Sequence, residues 1–332
     1  MGNPKNKTIG IVGGGQLGRM TILEARKMDI RVIVLTPEHP SPASDIADDY
    51  IIGSLYDEDK IRELASKCDI LTYEIEHINV AVLEEIEKSG KIVNPSAKVL
   101  KVIQDKSKQK ALLQANNLPT SNWDYINDDN LIDMINKYGY PVVQKSCTGG
   151  YDGKGVFVLK SEADIPNMIK GESFFEEYVP FEKEIAIMVA RNARGQVKTY
   201  PLVDMEFDPT TNMCDITVCP AKVSKEVEEK AKEIATKVIE ALDGYGIFGV
   251  EMFLTKDGEI LINEVAPRPH NSGHYTIEGC YTSQYEQYLR AIMNLPLGAT
   301  DYIKPNVMIN LFGEVGYSGE TLVEGFDEAL EI

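Results

Sequence analysis

The sequence predicts an α/β protein that opens with a doubly wound, mostly parallel sheet. Three observations carry that expectation. Short apolar runs alternate with helical stretches from residue 8 to residue 97; a glycine-rich turn joins the first strand to the first helix; and a second set of strands, closed by an Asp-Gly hairpin, follows later in the chain.

Thr8 to Val12 is a short buried strand, and Gly13-Gly14-Gly15-Gln16-Leu17-Gly18-Arg19-Met20 turns it into a helix reaching about Lys27. Arg31 to Leu35 is the next strand. Apolar segments at Ile51-Ile52, Ile70 to Tyr73 and Lys91 to Val93 continue the alternation, so a first domain is expected over residues 1–97. A helix is expected from Val99 to about Asn116, and another near Asn130–Tyr138. Tyr140 to Lys145 reads as a strand entering Thr148-Gly149-Gly150-Tyr151-Asp152-Gly153-Lys154-Gly155, with a further strand from Val156 to Leu159. Four glycines in so short a loop suit a flap whose amides cover phosphate oxygens. It is not a P-loop, because the G-x-x-x-x-G-K-[ST] order is missing.

Phe174 to Val179 is a strand running into a bend at Pro180, where backbone groups can meet an adenine edge and Glu184 can accept from ribose hydroxyls. Ser224 is placed to cap a long amphipathic helix that ends at Leu242. Gly249 to Leu254 and Gly258 to Ile262 form a hairpin about Thr255-Lys256-Asp257-Gly258. Glu251 and Glu264 can then converge on one hard cation, because Mg²⁺ takes one or two protein carboxylates together with phosphate oxygens. The alternative is a surface hairpin with solvated acids. Directly after it, Asn263-Glu264-Val265-Ala266-Pro267-Arg268-Pro269-His270-Asn271-Ser272-Gly273-His274 gathers an acid, an arginine and two histidines.

A net charge of −18 over 332 residues disfavours broad nucleic-acid binding, which needs a basic face. No apolar run approaches a membrane span, and no apolar signal core follows the first residues. Cys68, Cys147, Cys214, Cys219 and Cys280 are scattered, which suits reduced thiols and a cytoplasmic location. Gly13, Gly15 and Gly18 satisfy G-x-G-x-x-G, a pattern that a dinucleotide and a sugar phosphate fit equally well.

Taken in order, these pieces resemble the ATP-grasp ligases, and among them the bicarbonate-using 5-(carboxyamino)imidazole ribonucleotide synthetases. The glycine turn at 13–20, the flap at 148–155 and the block at 263–274 carry the likeness, which extends from Thr8 onward. The resemblance implies an ATP-grasp fold over 98–300, with a flap subdomain at about 118–174. It also implies ATP-dependent carboxylation of aminoimidazole ribonucleotide by bicarbonate, through carboxyphosphate. ATP and Mg²⁺ are the expected cofactors. Lys106, Lys145, Gly149, Gly150, Gly153, Lys154, Gly155, Glu176, Glu177, Val179, Glu184 and Asn263 would hold the nucleotide, and Glu251 and Glu264 the metal. Gly15, Gln16 and Leu17 would lie near the ribonucleotide, with Glu74 or Glu76, Tyr151 and Asp152 nearer its ring. Arg268 and Asn271 would cradle the transferring groups, while Tyr151 and Asp152 would also serve catalysis. His270 would handle the bicarbonate proton as a group titrating near neutrality, or act as a hydrogen-bond partner only, with His274 supporting the loop. A homodimer and a functional link to the following mutase are implied as well.

One departure stands out. Members of the family usually continue into a basic C-terminal stretch, whereas here Val307 to Glu314 matches the start of that domain and no arginine follows Arg290. Residues 301–332 therefore read as the start of a truncated domain. The rival readings are a formate-using glycinamide ribonucleotide ligase, a nucleotide-binding protein without turnover, and a nicotinamide dehydrogenase built on the first glycine turn.

Overall fold

The computed structural model describes residues 7–150, 155–208, 213–313 and 323–331. The first sheet is formed by β1 (Thr8–Val12), β2 (Arg31–Thr36), β3 (Asp49–Ile52), β4 (Ile70–Tyr73) and β5 (Ile92–Val93). All pairs are parallel, in the order β3-β2-β1-β4-β5. β1, β2 and β4 are buried at nearly every residue, as parallel strands covered by helices must be. The helices are α1 (Gln16–Lys27), α2 (Glu58–Lys67) and α3 (Val80–Lys88). Asp57 caps α2 and Asn79 caps α3, each side chain accepting from two amides of the first turn.

The single helix expected from Val99 to Asn116 is broken into α4 (Ala97–Ile103) and α5 (Lys106–Ala115). Asp105 is the reason. Its carboxylate accepts from the amides of Ser107 and Lys108, which makes it an N-cap rather than a helical residue. The break sets Lys106 at the first position of α5, where its own amide bonds the Cys147 carbonyl at 2.8 Å.

A small antiparallel sheet follows, in the order β6-β9-β7-β8: β6 (Trp123–Ile126), β7 (Val142–Ser146), β8 (Val156–Leu159) and β9 (Ser173–Glu177), packed on α6 (Leu131–Tyr138). The large sheet runs β15-β14-β10-β12-β13-β16, with β11 (Val197–Thr199) beside β10. Its other members are β10 (Phe181–Arg191), β12 (Val203–Phe207), β13 (Cys214–Cys219), β14 (Gly246–Thr255), β15 (Ile260–Ala266) and β16 (Asn306–Ile309). α7 (Lys225–Leu242) covers one face, and the Ser224 hydroxyl accepts from Val227 N–H as expected. α8 (Thr276–Gly279), α9 (Gln284–Ile292) and α10 (Phe326–Leu330) complete the described helices. Among the described residues, no helix is long and apolar enough to cross a membrane.

The hairpin β14/β15 differs from its sequence reading in one consequential way. The second strand continues to Ala266 rather than stopping at Ile262. Val250 pairs with Val265 and Glu251 with Glu264, but Met252 pairs with Ile262, so Asn263 is an extra, bulged residue. A bulge sets two residues of one strand against one of its partner. Gly258 closes the turn with φ 78°, as the Asp-Gly signal indicated.

The first domain and the large sheet share one apolar cluster that joins Ile9, Ile11, Val32 and Val34 to Met188, Ala190, Ile247 and Leu289. Polar clasps add direction. The Tyr288 hydroxyl meets Thr72 Oγ1 and donates to the Tyr73 carbonyl at 3.0 Å, and Asn94 Nδ2 donates to the Ile292 carbonyl at 2.9 Å. Tyr288→Phe leaves the Tyr73 carbonyl without that donor in a buried place, at an expected cost of about 1–3 kcal/mol. A lower urea midpoint at unchanged slope is the expected result; a midpoint equal to that of the parent contradicts the clasp.

Candidate active site

The site forms where α5, the end of β7 and the bulged hairpin meet. Lys106 and Lys110 lie four residues apart and so face the same way from α5. Lys106 Nζ pairs with the Glu264 carboxylate. Burial alone would lower the Lys106 ammonium, yet Glu264 holds it above its ordinary range. Gln109, between the two lysines, accepts from Val265 N–H at 2.9 Å and docks the helix on β15.

Lys145, at the end of β7, reaches Glu176 Oε2 at 2.7 Å and Asn263 Oδ1 at 2.9 Å. Asn263 Nδ2 in turn lies 3.4 Å from Glu251 Oε2. The bulge makes this possible, because Asn263 and Glu264 are consecutive yet both meet lysines of the site. Glu251 is pushed up by burial first, then by the neighbouring carboxylates of Glu264 and Glu184. Glu264 is held down by Lys106. Glu184 is raised by burial to about 7, with Lys145 pulling it down and Glu264 up. Carboxylates that resist ionising together, beside cations, suit a hard divalent ion. Among the described residues no cluster of three or more His, Cys, Asp or Glu side chains could hold a metal alone. Two carboxylates that leave the remaining positions to phosphate oxygens and water fit Mg²⁺.

Glu176, expected among the residues that hold the nucleotide, has a side chain that is 2% exposed and held by Lys110, Lys145 and the Ser121 hydroxyl. Burial opposes its charge, but Lys145 and Lys110 together depress its pKa to about 2. Lys110 moves the other way, to about 8, because burial and the repulsion from Lys145 outweigh its carboxylate partner. The charge of the cluster thus favours the carboxylate and burdens the second lysine. Sequence reading missed Lys110; its spacing from Lys106 was the available signal. Glu177 is exposed and accepts from Asn122 Nδ2 at 2.7 Å, and the Val179 carbonyl accepts from Phe181 N–H at 2.9 Å in the bend. Of the flap, Gly149 and Gly150 follow β7 and Gly155 precedes β8. Tyr151, Asp152, Gly153 and Lys154 lie outside the described residues.

The first glycine turn proves to be filled from within. The Glu74 carboxylate accepts from Gly15 N–H and Gly18 N–H, and burial raises its pKa. Those two amides are therefore not available to a phosphate, which removes the basis for the dinucleotide reading. Gln16 is exposed and Leu17 half-buried at the start of α1. Glu76 has a different partner, Arg268 Nε, at 2.8 Å, in an ion pair that joins the first domain to the 263–274 block. Arg268 also donates to the Pro269 carbonyl at 3.1 Å.

His270 corrects a premise. A ring titrating near neutrality was expected, but burial and then Arg268 push it down to about 3. Ser272 N–H donates to Nδ1 at 3.3 Å, which places the hydrogen of the neutral ring on Nε2, 3.4 Å from Glu251 Oε1. The ring approaches β14 so closely that a Cβ added at Gly249 would stand 2.7 Å from His270 Cβ. Gln284, also missed in the sequence, holds His270 by both its N–H and its carbonyl at 2.9 Å. His274 is depressed to about 4 by burial and meets Gln284 and Tyr285, in keeping with a supporting role. The Asn271 side chain is hydrogen-bonded to the Cys214 carbonyl at 3.3 Å and to Asn310 at 2.7 Å. Cys147 is buried.

Two sheets facing each other across paired lysines and a carboxylate hairpin define an ATP-grasp protein. The ATP-grasp domain model matches residues 111–285, and the ribonucleotide synthetase preATP-grasp domain model matches residues 6–104. The chain belongs to the N5-carboxyaminoimidazole ribonucleotide synthetase family. It is 39% identical to the N5-carboxyaminoimidazole ribonucleotide synthase of Bacillus subtilis, over 92% of this chain and 81% of that one. It is 41% identical to the phosphoribosylaminoimidazole carboxylase of Ogataea methanolica over 95% of its own length, and spans 60% of that longer relative. The solved synthetase of Thermotoga maritima superposes with a TM-score of 0.91 at 49% identity, covering 98% of this chain and 86% of that one. The synthase of Aspergillus clavatus, solved with ADP and 5-aminoimidazole ribonucleotide, superposes at 0.88 with 35% identity, covering 94% and 84%.

The buried cluster predicts an acid-dependent loss. The depressed Glu176 contributes stability that is present above about pH 4.5 and is lost as pH falls toward about 2. Glu176→Gln, which leaves two buried lysines without their carboxylate, is expected to cost about 3–5 kcal/mol at pH 7. The gap between parent and variant should narrow as pH drops through that window in denaturation experiments. A gap independent of pH contradicts the assignment.

Proposed function

We propose that this chain carboxylates 5-aminoimidazole ribonucleotide with bicarbonate at the expense of ATP, releasing ADP and phosphate. The observation that carries the reading is the arrangement of Lys106 and Lys145 against Glu264 and Asn263 at the seam of two sheets, with Glu251 alongside. Choice of the imidazole substrate is supported by family membership and by the ligands of the Aspergillus clavatus relative. In this reading the first domain holds the ribonucleotide beside Gly15 through Gln16 and Leu17 rather than through the Gly15 and Gly18 amides, which Glu74 occupies. The domain from 98 to 300 holds ATP.

The adenine would lie against the backbone of Glu177 to Val179, the ribose near Glu184, and the phosphates beneath the flap glycines Gly149, Gly150, Gly153 and Gly155, with Lys154. Lys106 and Lys145 bring positive charge to the phosphates, and phosphoryl transfer depends mainly on such positioning and neutralisation. Mg²⁺ on Glu251 and Glu264 would neutralise phosphate oxygens. A bicarbonate oxygen displaces ADP from the γ-phosphorus, and the substrate amine then takes the carboxyl carbon as phosphate leaves. Carboxyphosphate is exposed to hydrolysis, so closure that excludes water protects it. Tyr151, Asp152, Arg268 and Asn271 would surround the reacting groups. A neutral His270 orients rather than stores a proton: its Nε2–H faces Glu251, which couples the 263–274 block to the metal carboxylates. A cytoplasmic homodimer handing its product to a mutase completes the proposal.

Phosphate release from ATP is expected to require both bicarbonate and aminoimidazole ribonucleotide and to accompany the carboxylated product. Glu264→Gln should lower turnover about 10²-fold or more. Release that ignores the ribonucleotide, or that formate and glycinamide ribonucleotide stimulate instead, overturns the reading.

A further inference from the structure

Lys110 is the buried cation that the proposed reaction leaves without a task. It is 2% exposed, as is Glu176, and Lys145 is 8% exposed, so two ammonium groups share one carboxylate away from water. Lone buried charges are costly, and an excess lysine in such a place is expected to be replaced by an apolar residue unless something uses it. Its hydrogen bonds show how it is used. An ammonium has three donors. Those of Lys110 go to Thr120 Oγ1 at 2.6 Å, Ser121 Oγ at 2.9 Å and Glu176 Oε1. That set is complete, so Lys110 does not reach a ligand itself. Among the described residues Lys145 donates to Asn263 Oδ1 at 2.9 Å and is ion-paired with Glu176 Oε2 at 2.7 Å, so its ammonium still has donor capacity for an incoming anion.

We propose that Lys110 is a positioning residue that keeps Glu176 from neutralising Lys145, so that Lys145 presents a cation to the nucleotide phosphates. With Lys110 present, the carboxylate is divided between two ammonium groups, one on each oxygen, and the cluster keeps a net positive charge. An arriving phosphate supplies the missing anion. Without Lys110, Glu176 and Lys145 become a closed, neutral pair, and the attraction for phosphate falls although every atom of Lys145 remains. Thr120 also ties the cluster to the hairpin, since its hydroxyl donates to the Ile262 carbonyl at 2.9 Å, directly before the bulge. The cluster therefore sets both the charge of Lys145 and its place beside Asn263.

This inference rests on the nucleotide-binding part of the proposed function and not on the choice of carboxylated substrate. Binding of ATP and of adenosine to the full chain tests it without turnover, using Lys110→Met, Lys145→Met and the double variant. Lys110→Met is expected to weaken ATP about tenfold while adenosine changes less than twofold, which a general loss of structure would not do. The double variant is expected to bind ATP no more weakly than Lys145→Met alone, because Lys110 acts through Lys145. Lys110→Arg, which keeps the cation, should restore ATP binding to within about threefold of the parent and serves if the methionine variant does not fold. Equal losses for ATP and adenosine, additive losses in the double variant, or an arginine variant that loses ATP selectively would each overturn the proposal. Normal ATP binding by the parent without carboxylation would instead sink the substrate assignment and leave this one standing.

Discussion

A single inserted residue in β15 governs the geometry of the site. In a regular antiparallel pair, neighbours along a strand point to opposite faces, so Asn263 and Glu264 could not both meet lysines from the opposing elements. The bulge at Asn263 relieves that alternation. Asn263 then receives Lys145, while Glu264 receives Lys106 and stands directly across from Glu251. Strand β7, helix α5 and the hairpin are thereby fixed to one another by charge. The apolar clusters beneath them set the distance at which those charges meet.

The cations of the site are held by carboxylates, with Glu176 shared between Lys110 and Lys145. Lys106 has Glu264, Lys145 has Glu176, and Arg268 has Glu76. Such pairing is how a buried ligand site keeps its charges in place before the ligand arrives, since unpaired ions would be expelled or neutralised. The acids left over, Glu251 and Glu184, are the ones whose ionisation the surroundings resist. They mark where a cation is wanted. Glu74 follows the same logic at the other end of the molecule, where its carboxylate takes the place at the first turn of α1 that an anionic ligand would otherwise occupy.

Much of this was legible in the sequence where the signal is local. The alternation of strands and helices to residue 93, the Ser224 cap and the Asp257-Gly258 turn all act over a few residues, and the structure has them as read. The approach of Glu251 to Glu264 was legible only in part: the register set by the Asp-Gly turn places Glu251 opposite residue 263, and the bulge brings Glu264 across from it. The rest depended on contacts between distant segments. Asp105 broke a helix whose periodicity ran through it, because its cap hydrogen bonds outweigh propensity. Residue 263 looked like the end of a strand because a bulged polar pair does not alternate. The burial that depresses His270, the partners of Glu176 and the filling of the glycine turn by Glu74 join residues far apart in the chain: Gly15 and Glu74 are separated by 59 positions, Lys110 and Glu176 by 66, and Lys145 and Asn263 by 118. No local pattern encodes them.

In the proposed reaction Glu251 and Glu264 form the metal end of the nucleotide site, and Lys106 holds Glu264 until the metal arrives. Anomalous scattering from crystals grown with Mn²⁺ and a non-hydrolysable ATP analogue tests it most directly. Manganese is expected on oxygens of both carboxylates and of the analogue's phosphates, with Glu264 released from Lys106. Nucleotide bound with manganese elsewhere, and Glu264 still closed on Lys106, would contradict the account.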